Sequence, residues 1–542
     1  MRKLCLTVAG YLIICISACT KAPLNSAKQF IIHPGEDITA LVNLRNDYDV
    51  FLLEAGSYTT LQGQCIFRSN ITIRKKDTSS EVRIVEPMQI SGNNNTIEGL
   101  TWDGADNQCI LLSDPGTLSL AGSGNIIRHC VFRNMQMPGH GTEIVSIGRL
   151  KGGNGQFANT VANNNTIENC TFDNWGLRGE PKGSIKSSTC ISVGEENQKG
   201  TFTGTVIRNN TFLDGPYREY GYNAAVKVFN SVTLENNLFF GGQECLEIKY
   251  GNSTIRGNTM HHFSGYNILA NRSGRNNLYE NNIVYDVWPI DKQSSAQGFM
   301  IWDAGNTVYR NNLIYDCAQA GLILGKQTAA SNTLQYVLIA NNTFISNGTG
   351  IHFNNQMGSP RHVILVKNIL CGRKSLPMVF LMSGFDPLSI ENYSGNLYFD
   401  NSGNGGDDAP VLEDPQFVDT SRNNFSLQAN SPACGLGAFP CASSTFSVSG
   451  KGGETLSPNI ILYPTRSKHV FHIGLAGLDA IPLELELQDY NGTSLYKNSF
   501  WSKAPMDLKI MRNIDLTQMP SGVYIIKLTT SLGVLTQHLQ IP

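Results

Sequence analysis

One six-residue pattern recurs along most of this chain: a hydrophobic residue, two variable positions, Asn or Cys, then two mostly apolar, Thr or Phe positions. It reads IRHCVF, IENCTF, IRNNTF, LENNLF, IRGNTM, YENNIV, YRNNLI, IANNTF and LVKNIL. The fourth position falls at Cys130, Cys170, Asn210, Asn237, Asn258, Asn282, Asn312, Asn342 and Asn368, with gaps of 40, 40, 27, 21, 24, 30, 30 and 26 residues. Leu100 fits one step earlier and Asn396 one step later. A unit this short, made of β runs and turns, cannot bury its own apolar face, so neighbouring units must stack. Propeller blades are longer, and leucine-rich repeats require regularly spaced leucines. The pattern therefore predicts an all-β chain folded as a right-handed parallel β-helix. The recurring Asn is expected where the chain turns between faces, its amide hydrogen-bonding from coil to coil and satisfying turn backbone. The two Cys would be apolar equivalents.

A rod of this kind explains how 542 residues avoid splitting into several compact cores. The 41 Lys+Arg against 43 Asp+Glu exclude a globally basic nucleic-acid binder. The first residues read as an address: a charged MRK, an apolar run from Leu4 to Ile16, then ISAC ending at Cys19. That run is too short to span a membrane. Residues 1–19 are expected to be a lipoprotein signal, with an ordinary signal peptide cut near Ala18 as the alternative. The expected location is outside the cytoplasm, as an outer-membrane lipoprotein facing the periplasm or the cell surface, with a lipid anchor as its sole membrane contact. The later cysteines are scattered without metal-ligand spacing and read as small buried residues, although Cys434 and Cys441 are close enough to pair.

The expected domains are a β-helix over 20–444, a Gly/Ser linker over 445–458 and a β-sandwich over 459–542, where alternating strands replace the repeat. In that last segment LYP, NGTSLY and IDLTQMPSGVYIIKL resemble the C-terminal sorting domain of Bacteroidetes type IX secretion; the final QHLQIP lacks its usual basic finish.

The densest chemistry lies between Asn237 and Asn282. Glu244, Glu247 and Lys249 fall within six residues, and Glu247 and Lys249, two apart, share a strand face. Lys249 stands nine residues before Asn258 and Arg272 ten before Asn282. Stacking therefore brings them to adjacent coils at nearly equal height, the odd residue being absorbed by a bulge or turn. The preceding coil offers Lys227 and Asn223. Gly-, Lys- and Arg-bearing insertions between the first repeats suit an anionic chain. A Lys, an Arg and carboxylates on one outward face suit β-elimination of a uronate polysaccharide. That reaction removes a weakly acidic proton beside a carboxylate whose charge must be neutralised. Substrate contacts are expected from Lys227, His261, His262, Tyr266, Arg275 and Trp302, with Trp288 as a further aromatic. The partner expected is an anionic polysaccharide, bound by a monomer. Two other readings stand beside this one: a glycoside hydrolase drawing a carboxylate pair from Asp103, Glu244, Glu247 and Asp303, and a non-catalytic glycan-binding rod.

The run K-Y-G-N-S-T-I-R-G-N-T from Lys249 and the run R-S-G-R-N-N from Arg272 resemble motifs of the polysaccharide lyase family 6 β-helix enzymes, which include chondroitinase B and alginate lyases. The resemblance covers roughly Asn223 to Asn282. It implies Lys249 as base and Arg272 as acid or charge stabiliser. It also implies Ca2+ held by Asn223, Glu244 and, by substitution, Glu247, since Gly242 occupies the place of the family's second Glu. The implied substrates are chondroitin or dermatan sulfate, slightly favoured, and alginate.

Overall fold

The computed structural model describes residues 27–441 apart from 61–64, 107–115, 136–141, 152–156, 177–186, 217–221, 265–266, 273, 290–295, 303–304, 326–334, 355–360, 373–376, 382–389, 404–405 and 440, together with seven strands between residues 459 and 541. The segments expected to be an amino-terminal signal (1–19) and a linker (445–458) fall outside the described residues.

Three long parallel sheets of 14, 13 and 11 strands form the walls of a right-handed β-helix. Through the middle of the rod each coil contributes one strand to each wall in turn. The strands Val232–Glu235, Leu238–Gly242 and Glu244–Ile248, for example, belong to the first, second and third walls of one coil. Inward residues form one continuous apolar core, including an internal stack of Trp102, Phe132, Phe172, Phe212 and Phe239 with ring centroids 4.5–4.9 Å apart. That spacing is the inter-strand distance, so like residues in successive coils stack directly.

The turn between the first and second walls shows why the repeat reads as it does. The residue before each ladder position has positive φ: His129, Asn169, Asn209, Asn236, Gly257, Asn281, Asn311, Asn341, Lys367 and Gly395. Asn tolerates that left-handed conformation better than most residues, which accounts for the frequent Asn-Asn pair. The second Asn of the pair points inward and builds the ladder. From Asn210 through Asn237, Asn258, Asn282, Asn312, Asn342 and Asn368 to Asn396, each amide nitrogen donates to the next amide oxygen at 2.8–3.0 Å. Each oxygen also accepts the backbone N–H of the preceding Asn, as in Asn237 N to Asn258 Oδ1 at 3.0 Å. Asp407 closes the ladder by accepting from Asn396 Nδ2 at 2.7 Å. At the other end the buried Cys130 and Cys170 continue it, with Cys170 N donating to Asn210 Oδ1 at 2.9 Å.

The outward face of the first wall carries a second file. Arg74, Glu98, Arg128, Glu168, Arg208, Glu235, Arg256, Glu280 and Arg310 are register partners in successive coils, so charge alternates at every step. Ion pairs form within it, including Arg128–Glu98 at 3.0 Å, Arg208–Glu168 at 2.7 Å and Arg256–Glu235 at 2.6 Å.

In the segment that follows the last coil, Phe425, Leu427 and Ala433 pack along the outer face of the second wall on Leu313, Tyr315, Ile369 and Leu397 of successive coils. Cys434 and Cys441 in this segment are disulfide-bonded. The carboxy-terminal strands form two antiparallel sheets of three and four strands, the small β-sandwich expected there. Among the described residues no helix is long and apolar enough to cross a membrane.

Candidate active site

The third wall positions the chemistry. Lys227 pairs in register with Glu247, and Glu247 with Ala270. Ile248 pairs with Asn271, so Lys249, immediately past its strand, and Arg272, the last residue of its own, occupy one row. Arg272 in turn pairs with Trp302. The expected juxtaposition of Lys249 and Arg272 is therefore present. The odd residue lies in the turn that follows: Thr254 pairs with Leu278, so five steps from Lys249 match six from Arg272.

Glu244 reaches this face by a route that simple alternation does not give. Cys245 and Leu246 both enter the core, as do Cys190–Ile191, Ala225–Val226 and Ile268–Leu269 in neighbouring coils. A corner therefore runs down the wall at this height, and residues three apart across it share the outer surface.

Glu247 is the hub. Its Oε2 lies 3.3 Å from Lys227 Nζ, and its Oε1 lies 3.4 Å from both Lys249 Nζ and Arg272 Nε. Arg272 also spans to Glu244, Nη2 to Oε1 at 3.4 Å. Both carboxylates are nearly enclosed, whereas the side chains of Lys227, Lys249 and Arg272 remain 26%, 24% and 25% exposed and so can meet a ligand. Aromatic rings hold the cations in place. The ammonium groups of Lys227 and Lys249 lie 5.6 and 5.3 Å from the Phe229 centroid, and the Arg272 guanidinium lies 5.8 Å from that of Trp302. Phe229 did not emerge from the sequence reading, yet it stands one coil before Lys249 in the same row. Burial, reinforced by repulsion from Glu247, pushes the Glu244 carboxyl up to about 7. Burial acts upward on Glu247 too, but Lys227, Lys249 and Arg272 together outweigh it and hold that carboxyl below its ordinary value.

The remaining residues drawn from the sequence are dispersed. His261 and His262 stand on the second wall, in the strand Thr259–Ser264, not beside Arg272. The coil turns a corner between them and Arg272, so nearness in the chain becomes separation onto different walls. There His261 stacks on Tyr285 at 4.5 Å. His262 stacks on Phe240 at 4.9 Å, meets Trp288 edge-on and lies 3.0 Å from Asp286 through Nδ1. Arg275 is exposed, bridged to Gly305 in the turn leaving the third wall. Tyr266 and Asp303 lie outside the described residues. Asp103, drawn into the hydrolase reading, is on the second wall and is pinned by Arg133 at 2.7 Å and Asn134 at 2.9 Å. Part of the first insertion is wall and hairpin rather than free loop: Thr142–Ile147 joins the third wall, Arg149–Lys151 pairs with Phe157–Asn159, and Arg149 is bound by Glu195 at 2.9 Å.

The oxygen set drawn for calcium does not fit that ion. Both Glu247 oxygens and Glu244 Oε1 face cations of the chain, and Asn223 Oδ1 accepts from the Ser188 hydroxyl. A hard divalent ion needs six to eight oxygens turned toward one centre. Among the described residues, no group of three or more His, Cys, Asp or Glu side chains is placed to hold a metal.

With this geometry in view, the comparisons place the fold. Residues 189–370 match the family model described as the right handed beta helix region. A PL6 alginate lyase solved in complex with a trisaccharide is similar at TM-score 0.52 and 16% identity, over 76% of this chain and 92% of that one. A mannuronic acid specific polysaccharide family 6 lyase from human gut microbiota gives TM-score 0.49 at 17% identity, over 68% and 86%. The A-module of the Azotobacter vinelandii mannuronan C-5 epimerase gives 0.43 at 13%, over 65% and 96%. At these identities the likeness is one of fold. Comparison with curated proteins returned no match.

Proposed function

We propose that this protein is a polysaccharide lyase cleaving an alginate-type uronate polysaccharide by β-elimination. The observation that carries the reading is the single row in which Lys249 and Arg272 stand on adjacent coils, bridged by Glu247 and open to solvent. The fold shared with an alginate lyase bound to a trisaccharide supports it and puts alginate ahead of the sulfated glycosaminoglycans as first substrate to test.

In this reaction Lys249, once its ammonium has released a proton to solvent, acts as the amine that removes the proton beside the substrate carboxylate. The electron pair left on that carbon is spread into the carboxylate, whose negative charge Arg272 stabilises. Collapse of that state forms a carbon–carbon double bond and breaks the bond to the glycosidic oxygen, which leaves with a proton from Arg272 or water. Trp302 under the guanidinium and Phe229 under the ammonium fix the directions of both groups. The site is a cationic patch on a rod, which suits an extended anionic chain. The charged MRK and the apolar run ending at Cys19 support an exported enzyme acting outside the cytoplasm.

The test is ultraviolet absorbance of the unsaturated uronate on mixing with alginate and a panel of other uronate polymers. A rise is expected. Lys249→Ala should abolish it while leaving the thermal midpoint unchanged. New reducing ends without absorbance would replace the lyase reading with a hydrolase. Full activity in Lys249→Ala would remove this lysine from the mechanism.

A further inference from the structure

The cluster contains one more cation than a base and its charge-stabilising partner require. Lys227 is set by the ladder itself: it is the register partner of Glu247, one coil away on the same outward file. Its ammonium lies 3.3 Å from Glu247 Oε2, on the side of that carboxylate opposite the oxygen shared by Lys249 and Arg272. Phe229 lies under both lysines, so Lys227 is held by the same floor that holds Lys249. Three cations therefore surround two carboxylates, and the local surplus is positive. A divalent cation brought to the same oxygens would meet three like charges at close range, and Gly242, two residues before Glu244, adds no further carboxylate.

We propose that Lys227 takes the place of a divalent cation in this site: its ammonium binds the carboxylate of the uronate undergoing reaction, and the protein works without calcium. This rests on the β-elimination reading and deepens it by adding Lys227 to Arg272 as a second cation of the chain that neutralises the substrate carboxylate. Glu247 holds the ammonium aimed outward when substrate is absent. On binding, the substrate carboxylate joins Glu247 as a second anionic partner of a side chain that is already desolvated on one side, which makes the contact stronger than one to a free surface lysine. A positioned ammonium differs from a metal in one testable respect: it survives chelation and is lost by substitution.

The experiment pairs calorimetric binding with turnover. Wild-type protein is dialysed against a chelator, and binding of a mannuronate trisaccharide and of its carboxyl-reduced, neutral counterpart is measured; elimination is followed in parallel. Binding and turnover of the dialysed protein should be unchanged, and added calcium should not raise either. Lys227→Met should weaken binding of the charged trisaccharide by about 10- to 100-fold, the range expected for a lost charged hydrogen bond, and leave the neutral trisaccharide unaffected. Lys227→Arg should recover most of the difference. Activity or affinity lost on chelation and restored by calcium overturns the proposal, as does equal weakening of both sugars in Lys227→Met, which would mark a merely structural residue. The lyase reading fails separately: wild-type protein that binds the charged trisaccharide through Lys227 but generates no absorbance keeps the carboxylate site and loses the elimination. Absence of binding and turnover together overturns both.

Discussion

Replacing Asn258 by Ala tests the interior ladder on which the rod is built. The Asn258 side chain is fully buried, its oxygen accepts from Asn237 N and Asn237 Nδ2, both at 3.0 Å, and its nitrogen donates to Leu234 O at 2.9 Å, Arg256 O at 3.1 Å and Asn282 Oδ1 at 3.0 Å. Not all of these losses cost the same. Asn237 Nδ2 keeps Ile207 O, and Asn282 Oδ1 keeps the backbone N–H of residue 258. Asn237 N–H loses a side-chain partner that no water can replace inside the coil, whereas Leu234 C=O stays within the paired strand Val232–Glu235. At about 1–3 kcal/mol for a buried group left unmet, the substitution should cost about 1–3 kcal/mol. Asn258→Cys should cost less, because thiols already serve at Cys130 and Cys170, where Sγ lies 3.8 and 3.7 Å from the carbonyls of Ile97 and Ile127. The measurements are the urea midpoint and amide exchange of Asn237, which should accelerate more than amides of distant coils, since stability in a stacked array is local. A shift equivalent to less than about 1 kcal/mol, or equal acceleration everywhere, would refute the account of the ladder as coil-to-coil satisfaction of backbone.

Two further outcomes are expected. Glu244 is raised to about 7 from 4.5 by burial and by Glu247, so the folded chain holds this proton more tightly than the unfolded one. Its contribution therefore favours the fold below about 4.5 and is lost as pH rises through 7; Glu244→Gln should flatten that limb of a stability-against-pH curve, and an unaltered curve would refute the assignment. Arg256→Glu places a carboxylate between Glu235 and Glu280 in the charged file and should destabilise by about 1–2 kcal/mol. The deficit should shrink in high salt and exceed that of Arg256→Gln; equal deficits would mean that charge sign is irrelevant there.

The ladder and the shared row of Lys249 and Arg272 were legible in the sequence because both depend only on spacing to a repeated anchor. The anchor fixes height, and parallel stacking transmits height from coil to coil. Wall assignment depends on where each coil turns, and that was less legible. His261 sits eleven residues before Arg272 but across a corner, so counting placed it in the wrong company. Glu244 was placed correctly in the cluster, but the reason, two consecutive core residues at Cys245 and Leu246, is a local break in alternation that periodicity does not announce. The floor residue Phe229 carries no polar signal and becomes visible only when Lys249 is traced back one coil. The charge alternation was present in the letters all along, at the second position of IRHC, IENC, IRNN, LENN, IRGN, YENN and YRNN, and gains meaning only once those positions are known to be neighbours.

That alternation gives the rod a parity. Deleting or duplicating one coil anywhere between Arg74 and Arg310 would set acid against acid or base against base at the splice, whereas removing or adding two would leave every neighbour opposite in sign. Beyond Arg310 the file continues through Ala340 and Val366, which carry no charge, so single coils there are free of the constraint. Growth and shrinkage of this molecule by recombination should accordingly proceed in even steps through its middle and in any step near its far end.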